Sequence, residues 1–221
     1  ICARSARDVQ VRVGDMVAWP RRFVVYTGDR TTVMSPALDN RVGCAAMLSA
    51  FLSADIPDDL TLYILAAVHH EQGNAYGAWC GTNEIQPDAA IVMDSAYAKP
   101  LIGDDTKDHW FIPELGQGAA IQKLGTHFIV AQPIFEHFAK LARAHSIPHQ
   151  FEFPDRDTGG TDYVGAARAA GGVPTGVINT PVRYQHTPLS MVALEDIEST
   201  IELVKAIVRQ GLDPWNLQRT D

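Results

Sequence analysis

Residues 175–188 read TGVINTPVRYQHTP. The first six, Thr175 to Thr180, form a β-rich run that continues through Pro181 and Val182 into the polar stretch Arg183, Tyr184, Gln185 and His186. A short run of this kind is the type of strand found in parallel sheets covered by helices on both faces. In open sheets of that class, ligands gather beyond the carboxyl ends of the strands, so the residues just after each such run are where chemistry is sought.

Working outward, the same pattern recurs. AAIVM (89–93) runs into Asp94, LTLYILAAV (60–68) runs into His69, His70, Glu71 and Gln72, and QFEF (150–153) gives a further short strand. Between the strands lie helical segments. The helix after Asn40 carries Cys44, Leu48, Phe51 and Leu52 at the spacing of one apolar face, and a second, over about 132–145, carries Ile134, Phe135, Phe138, Leu141 and Ala142. A short helix is expected in YVGAARAA (163–170). The last helix sets Ile197, Ile201, Val204 and Val208 on one side, with Glu195, Asp196 and Glu198 near its positive start. Residues 99–118, punctuated by Gly, Asp and Pro, read as loop with an edge strand at most. This alternation predicts an α/β fold with a mostly parallel sheet and flanking helices from about residue 35 onward. Residues 1–34 differ: VQVRVGDMVAW (9–19) and RRFVVYTG (21–28) look like short antiparallel strands between turns.

The whole-chain totals exclude several classes. With 221 residues and 46% hydrophobic content, the chain can build a proper core. A formal charge of -8 argues against nucleic acid or an anionic membrane as partner, since both repel an acidic surface. Three widely spaced cysteines, Cys2, Cys44 and Cys80, suggest neither a disulfide framework nor a thiolate zinc site, and fit a reducing cytoplasm. No apolar run approaches the roughly 20 residues of a membrane span. The chain starts at Ile1, so its true start is expected upstream.

At the strand ends and before the first helix stand Asp39, Glu71, Asp94 and His186, oxygen and imidazole donors that suit one or two divalent cations. Each has a blander explanation. Asp39 could cap the helix, Asp94 a turn, and His186 could be an ordinary loop histidine. Glu71 is harder to set aside, because a carboxylate directly after so apolar a run needs a partner if buried. His69 is expected on the opposite side of the strand from His70, in a structural role.

These motifs bring a resemblance into view. ALDNRVGCAAML (37–48), IVMDSA (91–96) and GGTDYVGAARAAGGVPTGVINTPVRYQHTP (159–188) resemble blocks of the dinuclear metallo-aminopeptidases of the tetrahedral and glutamyl aminopeptidase family. VRVGDMVAW (11–19) resembles the end of that family's small β-barrel insert. The resemblance implies a phosphorylase/hydrolase-like metallopeptidase fold, with residues 1–34 closing the insert and 35–221 forming the catalytic domain. It implies up to two divalent cations per subunit (Zn²⁺, Co²⁺ or Mn²⁺). Asp39 would bridge them, with the peptide to Asn40 a candidate for the cis form; Asp94 would bind one and His186 the other. Arg183 and Tyr184 would support the His186 loop, while Gly160, Thr161 and Asp162 would border the cleft. A peptide substrate and a homo-oligomer, with the dodecamer as a candidate, are implied as well.

Two departures stand out. The family has Gln-Glu-Glu-Val-Gly where this chain has His69-His70-Glu71-Gln72-Gly73. Counted from the strand side, Glu71 is the metal ligand and His70 takes the place of the general base; counted back from Gly77-Ala78, Glu71 is the base and Gln72 replaces the ligand. The first register keeps the metal set intact. In addition, the family's first ligand is a histidine preceding the insert, and residues 1–38 contain none. The expected activity is metal-dependent removal of N-terminal residues from peptides. The alternative is a catalytically impaired relative that serves as a peptide-binding or oligomeric scaffold.

Overall fold

The computed structural model describes residues 23–25, 31–70, 75–99, 112–153 and 161–211. Cys2, the strands expected over 9–19, Glu71 and Gly160 lie outside these residues. In chain order the elements are β1 (Val24–Val25), β2 (Thr32–Ser35), α1 (Leu38–Ser53), α2 (Tyr76–Ile85), β3 (Ala90–Tyr97), β4 (Ala119–Gln122), β5 (Leu124–Gly125) and β6 (Phe128–Ile129). They continue with α3 (Gln132–Ala144), β7 (His149–Glu152), α4 (Asp162–Arg168), β8 (Thr175–Val182), β9 (Ser190–Ala193) and α5 (Leu194–Gln210).

The main sheet has the order β3-β8-β4-β7. β3 runs parallel to β8 over all eight residues, β4 is parallel to β7, and only the β4–β8 junction is antiparallel. The mostly parallel α/β sheet expected from the sequence is therefore present. β8 is central, and all eight of its residues are buried. Gly176 explains how a helix reaches it so closely: a Cβ there would stand 2.3 Å from the Phe138 ring of α3. The helices pack as two groups, α1 and α3 each against α5, and α2 against α4. Phe138, Ile121, Ile178 and Leu203 are the largest side chains sealed in the core between them.

A second sheet, β1-β2-β9, is antiparallel throughout. β2 straddles the expected boundary between residues 34 and 35, and it pairs along its full length with β9. β9 in turn bridges back to the end of β8 through Arg183 and Met191.

Two expectations need correction. The run 60–68 has no ladder partner among the described residues and forms no strand. Leu60 and Leu62 pack against the core, but Tyr63 and Val68 are mostly exposed. β-type residues become a strand only where backbone partners are offered, and β3 spends its described pairing on β8. His69, with φ 61°, accordingly lies on no strand face.

The buried face of α1 also differs from the one expected. Leu38, Val42, Gly43, Ala46 and Ala50 are buried, whereas Cys44 is exposed and Leu48 and Leu52 are 52% and 74% exposed. Small residues let α1 approach α5 and β3 closely, so the alanine face is chosen over the leucine face. On α5 the innermost line is Asp196, Thr200, Leu203 and Ile207, with Ile197 and Ile201 at its margin. α3 buries the stripe expected, with Phe135 at its edge.

Candidate active site

The turn before α1 is built around Asp39. Ala37 takes a left-handed conformation (φ 54°), and the Asp39–Asn40 peptide is cis, as the sequence resemblance implied. Arg41 folds back over this turn: its Nε donates to the Ala37 carbonyl at 2.9 Å, and its Nη2 donates to Ser35 Oγ at 3.0 Å and to the Pro36 carbonyl. Asn40 fixes the other side. Its Nδ2 donates to the Met93 carbonyl at 2.8 Å, and its Oδ1 accepts from the Gly43 N–H at 3.0 Å. Asn40, not Asp39, thus caps the helix, and it ties the turn to β3 one residue before Asp94.

Asp94 occupies the second half of β3, opposite Asn179 of β8. Its Oδ1 accepts from the Ser95 N–H at 2.8 Å, and Ser95 Oγ reaches Asn40 Oδ1 at 3.4 Å. The carboxyl of Asp94 is pushed up to about 6, chiefly by burial, with the charges of Asp39 and Asp162 adding to the rise while His70 and the Ser95 N–H oppose it.

Beyond β8 the chain turns sharply, with positive φ at Tyr184 (60°) and His186 (55°). Thr187 Oγ1 donates to the carbonyls of Tyr184 (2.7 Å) and Leu189 (3.2 Å), and the Arg183 guanidinium lies 4.5 Å from the Tyr184 ring centroid. The braced loop presents His186 outward. Its Nε2 is 3.2 Å from Asp39 Oδ2, and its Nδ1 is 3.2 Å from the Tyr97 hydroxyl.

His70 forms the second cluster. Its Nε2 lies 3.4 Å from Asp94 Oδ2 and its Nδ1 lies 3.1 Å from Asp162 Oδ1. Asp162 stands in the first turn of α4, after Thr161, whose hydroxyl accepts the Tyr163 N–H at 3.4 Å.

The candidate residues thus gather from five separate stretches: Asp39 with His186, and Asp94 with His70 and Asp162. Arg183 and Tyr184 brace the loop, and Glu71 and Gly160 are outside the described residues. Asn40, Arg41, Ser95 and Tyr97 were not singled out from the sequence as site residues. A usable signal existed for two of them, since Asn40 adjoins Asp39 and Tyr97 ends the strand that carries Asp94.

No three His, Cys, Asp or Glu side chains among the described residues are already disposed around one metal position. The donor chemistry nevertheless suits a divalent cation. Asp39, Asp94 and His186 are oxygen and imidazole donors, and the buried Asp94 carboxyl, raised further by two neighbouring carboxylates, is a group that positive charge would relieve. Each of the two aspartates now faces an imidazole where a cation could stand.

A family model described as M42 glutamyl aminopeptidase matches residues 2–203 of the chain. A lysyl aminopeptidase of Pyrococcus furiosus is 30% identical over 207 residues, which is 93% of this chain and 56% of that protein. Among solved structures, aminopeptidase APDkam598 from the archaeon Desulfurococcus kamchatkensis is 30% identical with a TM-score of 0.79, covering 88% of this chain and 53% of that one. The Pyrococcus horikoshii TET1 peptidase, whose structure is described as able to assemble into a tetrahedron or a large octahedral shell, is 25% identical with a TM-score of 0.63, covering 84% and 52%. The chain spans a little over half the length of these relatives.

Proposed function

As the chain belongs to the M42 glutamyl aminopeptidase family, we propose that it forms the catalytic part of a metal-dependent aminopeptidase that removes N-terminal residues from peptides. The observation that carries this reading is the gathering of Asp39, Asp94 and His186, from three distant stretches, about the second half of β3 and the loop after β8. When bound, one or two divalent cations (Zn²⁺, Co²⁺ or Mn²⁺) supply Lewis acidity toward the scissile carbonyl and an acidified water. Asp39, Asp94 and His186 would hold them, with Glu71 as a further donor in the register that places His70 at the base position.

In that register His70 takes the proton of the attacking water and passes it to the leaving amine, while Asp162, 3.1 Å from Nδ1, orients the ring. In the other register Glu71 is the base and Gln72 faces the cation. The contact between His70 and Asp162 supports the first. Gly160, Thr161 and Asp162 border the substrate cleft, where carboxylates attract the free α-amine of a peptide. Arg183 and Tyr184 hold the His186 loop.

Residues 1–34 are assigned to the end of a small β-barrel insert and 35–221 to the catalytic domain. A cytoplasmic homo-oligomer, with the dodecamer as candidate size, completes the assignment, supported by the shell-forming relative. A second function has one observation in its favour: residues 69–72 carry a single glutamate, so the protein could bind peptide or build an assembly without turnover.

Chelator-stripped protein, reloaded with Zn²⁺, Co²⁺ or Mn²⁺ and assayed on aminoacyl anilides, separates the two. Metal-restored hydrolysis that Asp39→Asn removes together with bound metal, and that Glu71→Gln abolishes, supports the peptidase. Stoichiometric metal with no turnover on any substrate supports the silent relative.

A further inference from the structure

The function proposed above uses one nitrogen of His186, Nε2, and leaves the other unexplained. Nδ1 of that ring lies 3.2 Å from the hydroxyl of Tyr97, with the two rings nearly perpendicular and their centroids 6.0 Å apart. The side chain of His186 is 50% exposed, so packing does little to fix its rotation, and polar contacts must do so. Tyr97 is well placed for this, being the last residue of β3, three beyond Asp94 and therefore rigidly tied to the same strand.

A hydroxyl can either donate or accept, unlike a carboxylate, a carbonyl or an ammonium. That matters here because Nδ1 of His186 is an acceptor in one neutral tautomer and a donor in the other. Nε2 lies 3.2 Å from Asp39 Oδ2, and in the tautomer protonated at Nε2 that N–H donates to the carboxylate. Nδ1 is then bare, and the Tyr97 O–H donates to it. A cation held by Nε2 would take that lone pair, the ring proton would then sit on Nδ1, and the Tyr97 oxygen would accept the Nδ1–H hydrogen bond.

We propose that Tyr97 is a positioning residue for cation binding, whose hydroxyl holds the His186 ring in both tautomers and so lets Nε2 turn from hydrogen-bond donor to metal ligand without losing its orientation. The inference rests on the metal site proposed above. Partners of this kind, which fix a liganding imidazole through its far nitrogen, typically contribute about 10- to 100-fold in metal affinity.

The test is Zn²⁺ affinity, measured by competition with a chromophoric chelator, on the wild-type chain, Tyr97→Phe, Tyr97→Leu and His186→Ala. It is joined by ¹⁵N NMR of the His186 ring, before and after Zn²⁺, near neutral pH. The expected result for both Tyr97 variants is a loss of affinity of about 10- to 100-fold with the thermal midpoint in chelator unchanged. In the wild-type chain, the ring proton is expected on Nε2 without metal and on Nδ1 with it. Wild-type affinity in the Tyr97 variants, or an affinity loss matched by an equal loss of metal-free stability, overturns the role of Tyr97 while leaving the metal site intact. A wild-type chain that binds no Zn²⁺ overturns both.

Discussion

Glu152 offers the sharpest test of how the sheet carries polar groups behind the site. It ends β7, is 5% exposed, and accepts from Asn179 Nδ2 at 2.7 Å, while the same amide donates to Gln122 Oε1 at 3.0 Å. Burial pushes its carboxyl from 4.5 up to about 8, with the charge of Asp94 adding to the rise and the Asn179 hydrogen bond opposing it. The folded state therefore keeps a proton that the unfolded chain releases above pH 4.5. Stability contributed by this neutral carboxyl is complete below that pH, falls by about 1.4 kcal/mol per unit as pH rises, and levels off once the folded group itself ionises near 8.

Glu152→Gln keeps the shape and an acceptor for Asn179 but cannot ionise. Asn179 Oδ1, which has no hydrogen-bond partner among the described residues, offers the new amide hydrogens an acceptor in the same network. The full shift corresponds to a ceiling of about 5 kcal/mol; relaxation around a newly formed charge lowers it, so the variant should exceed wild type by about 2–5 kcal/mol at about pH 8.5 and match it near pH 4. Asp196 also has a raised value, but it is common to both proteins and cancels in the difference, whereas Asp94, whose charge acts on Glu152, contributes a small part of it. Urea unfolding of metal-free protein across that range reads the difference directly. A gap that does not widen with pH would refute the claim that Glu152 is buried as the neutral acid.

Two further substitutions test the turn and the first helix. Asn40→Asp places a carboxylate oxygen against the Met93 carbonyl that Asn40 Nδ2 now reaches at 2.8 Å, and should cost about 1–3 kcal/mol in denaturant unfolding with reduced metal retention. On α1, Leu52→Glu should shift stability by no more than about 0.5 kcal/mol because the side chain is 74% exposed, whereas Leu203→Ala on α5 should cost about 2–5 kcal/mol.

Much of this architecture is readable in the residues, and where reading fails the cause is physical. β8 announces itself as a short β-rich run, and the rule that chemistry follows strand ends leads to the His186 loop; Asp94, expected just after its strand, lies inside β3, which runs on to Tyr97. Periodicity, by contrast, says that a helix has an apolar face but not which of two it will bury. α1 has both Val42-Ala46-Ala50 and Cys44-Leu48-Leu52, and only the distance to α5 and β3 decides between them. The run 60–68 fails for the opposite reason: its composition satisfies a strand, but ladder partners are a property of the neighbours, not of the run. The hydrogen bonds from Asn40 to Met93 and between Tyr97 and His186 are beyond sequence reasoning because each spans more than 50 residues.

The separation of the candidate site into two clusters follows from its own electrostatics. Three carboxylates, Asp39, Asp94 and Asp162, are close enough that the first and last both raise the proton affinity of the buried second. Folding alone has no use for such crowding, which costs free energy at neutral pH. The imidazoles soften it, His186 standing at Asp39 and His70 between Asp94 and Asp162. A divalent ion held by His186 would take Nε2 away from its contact with Asp39. The ring proton would then lie on Nδ1, where the Tyr97 oxygen is placed to accept its hydrogen bond.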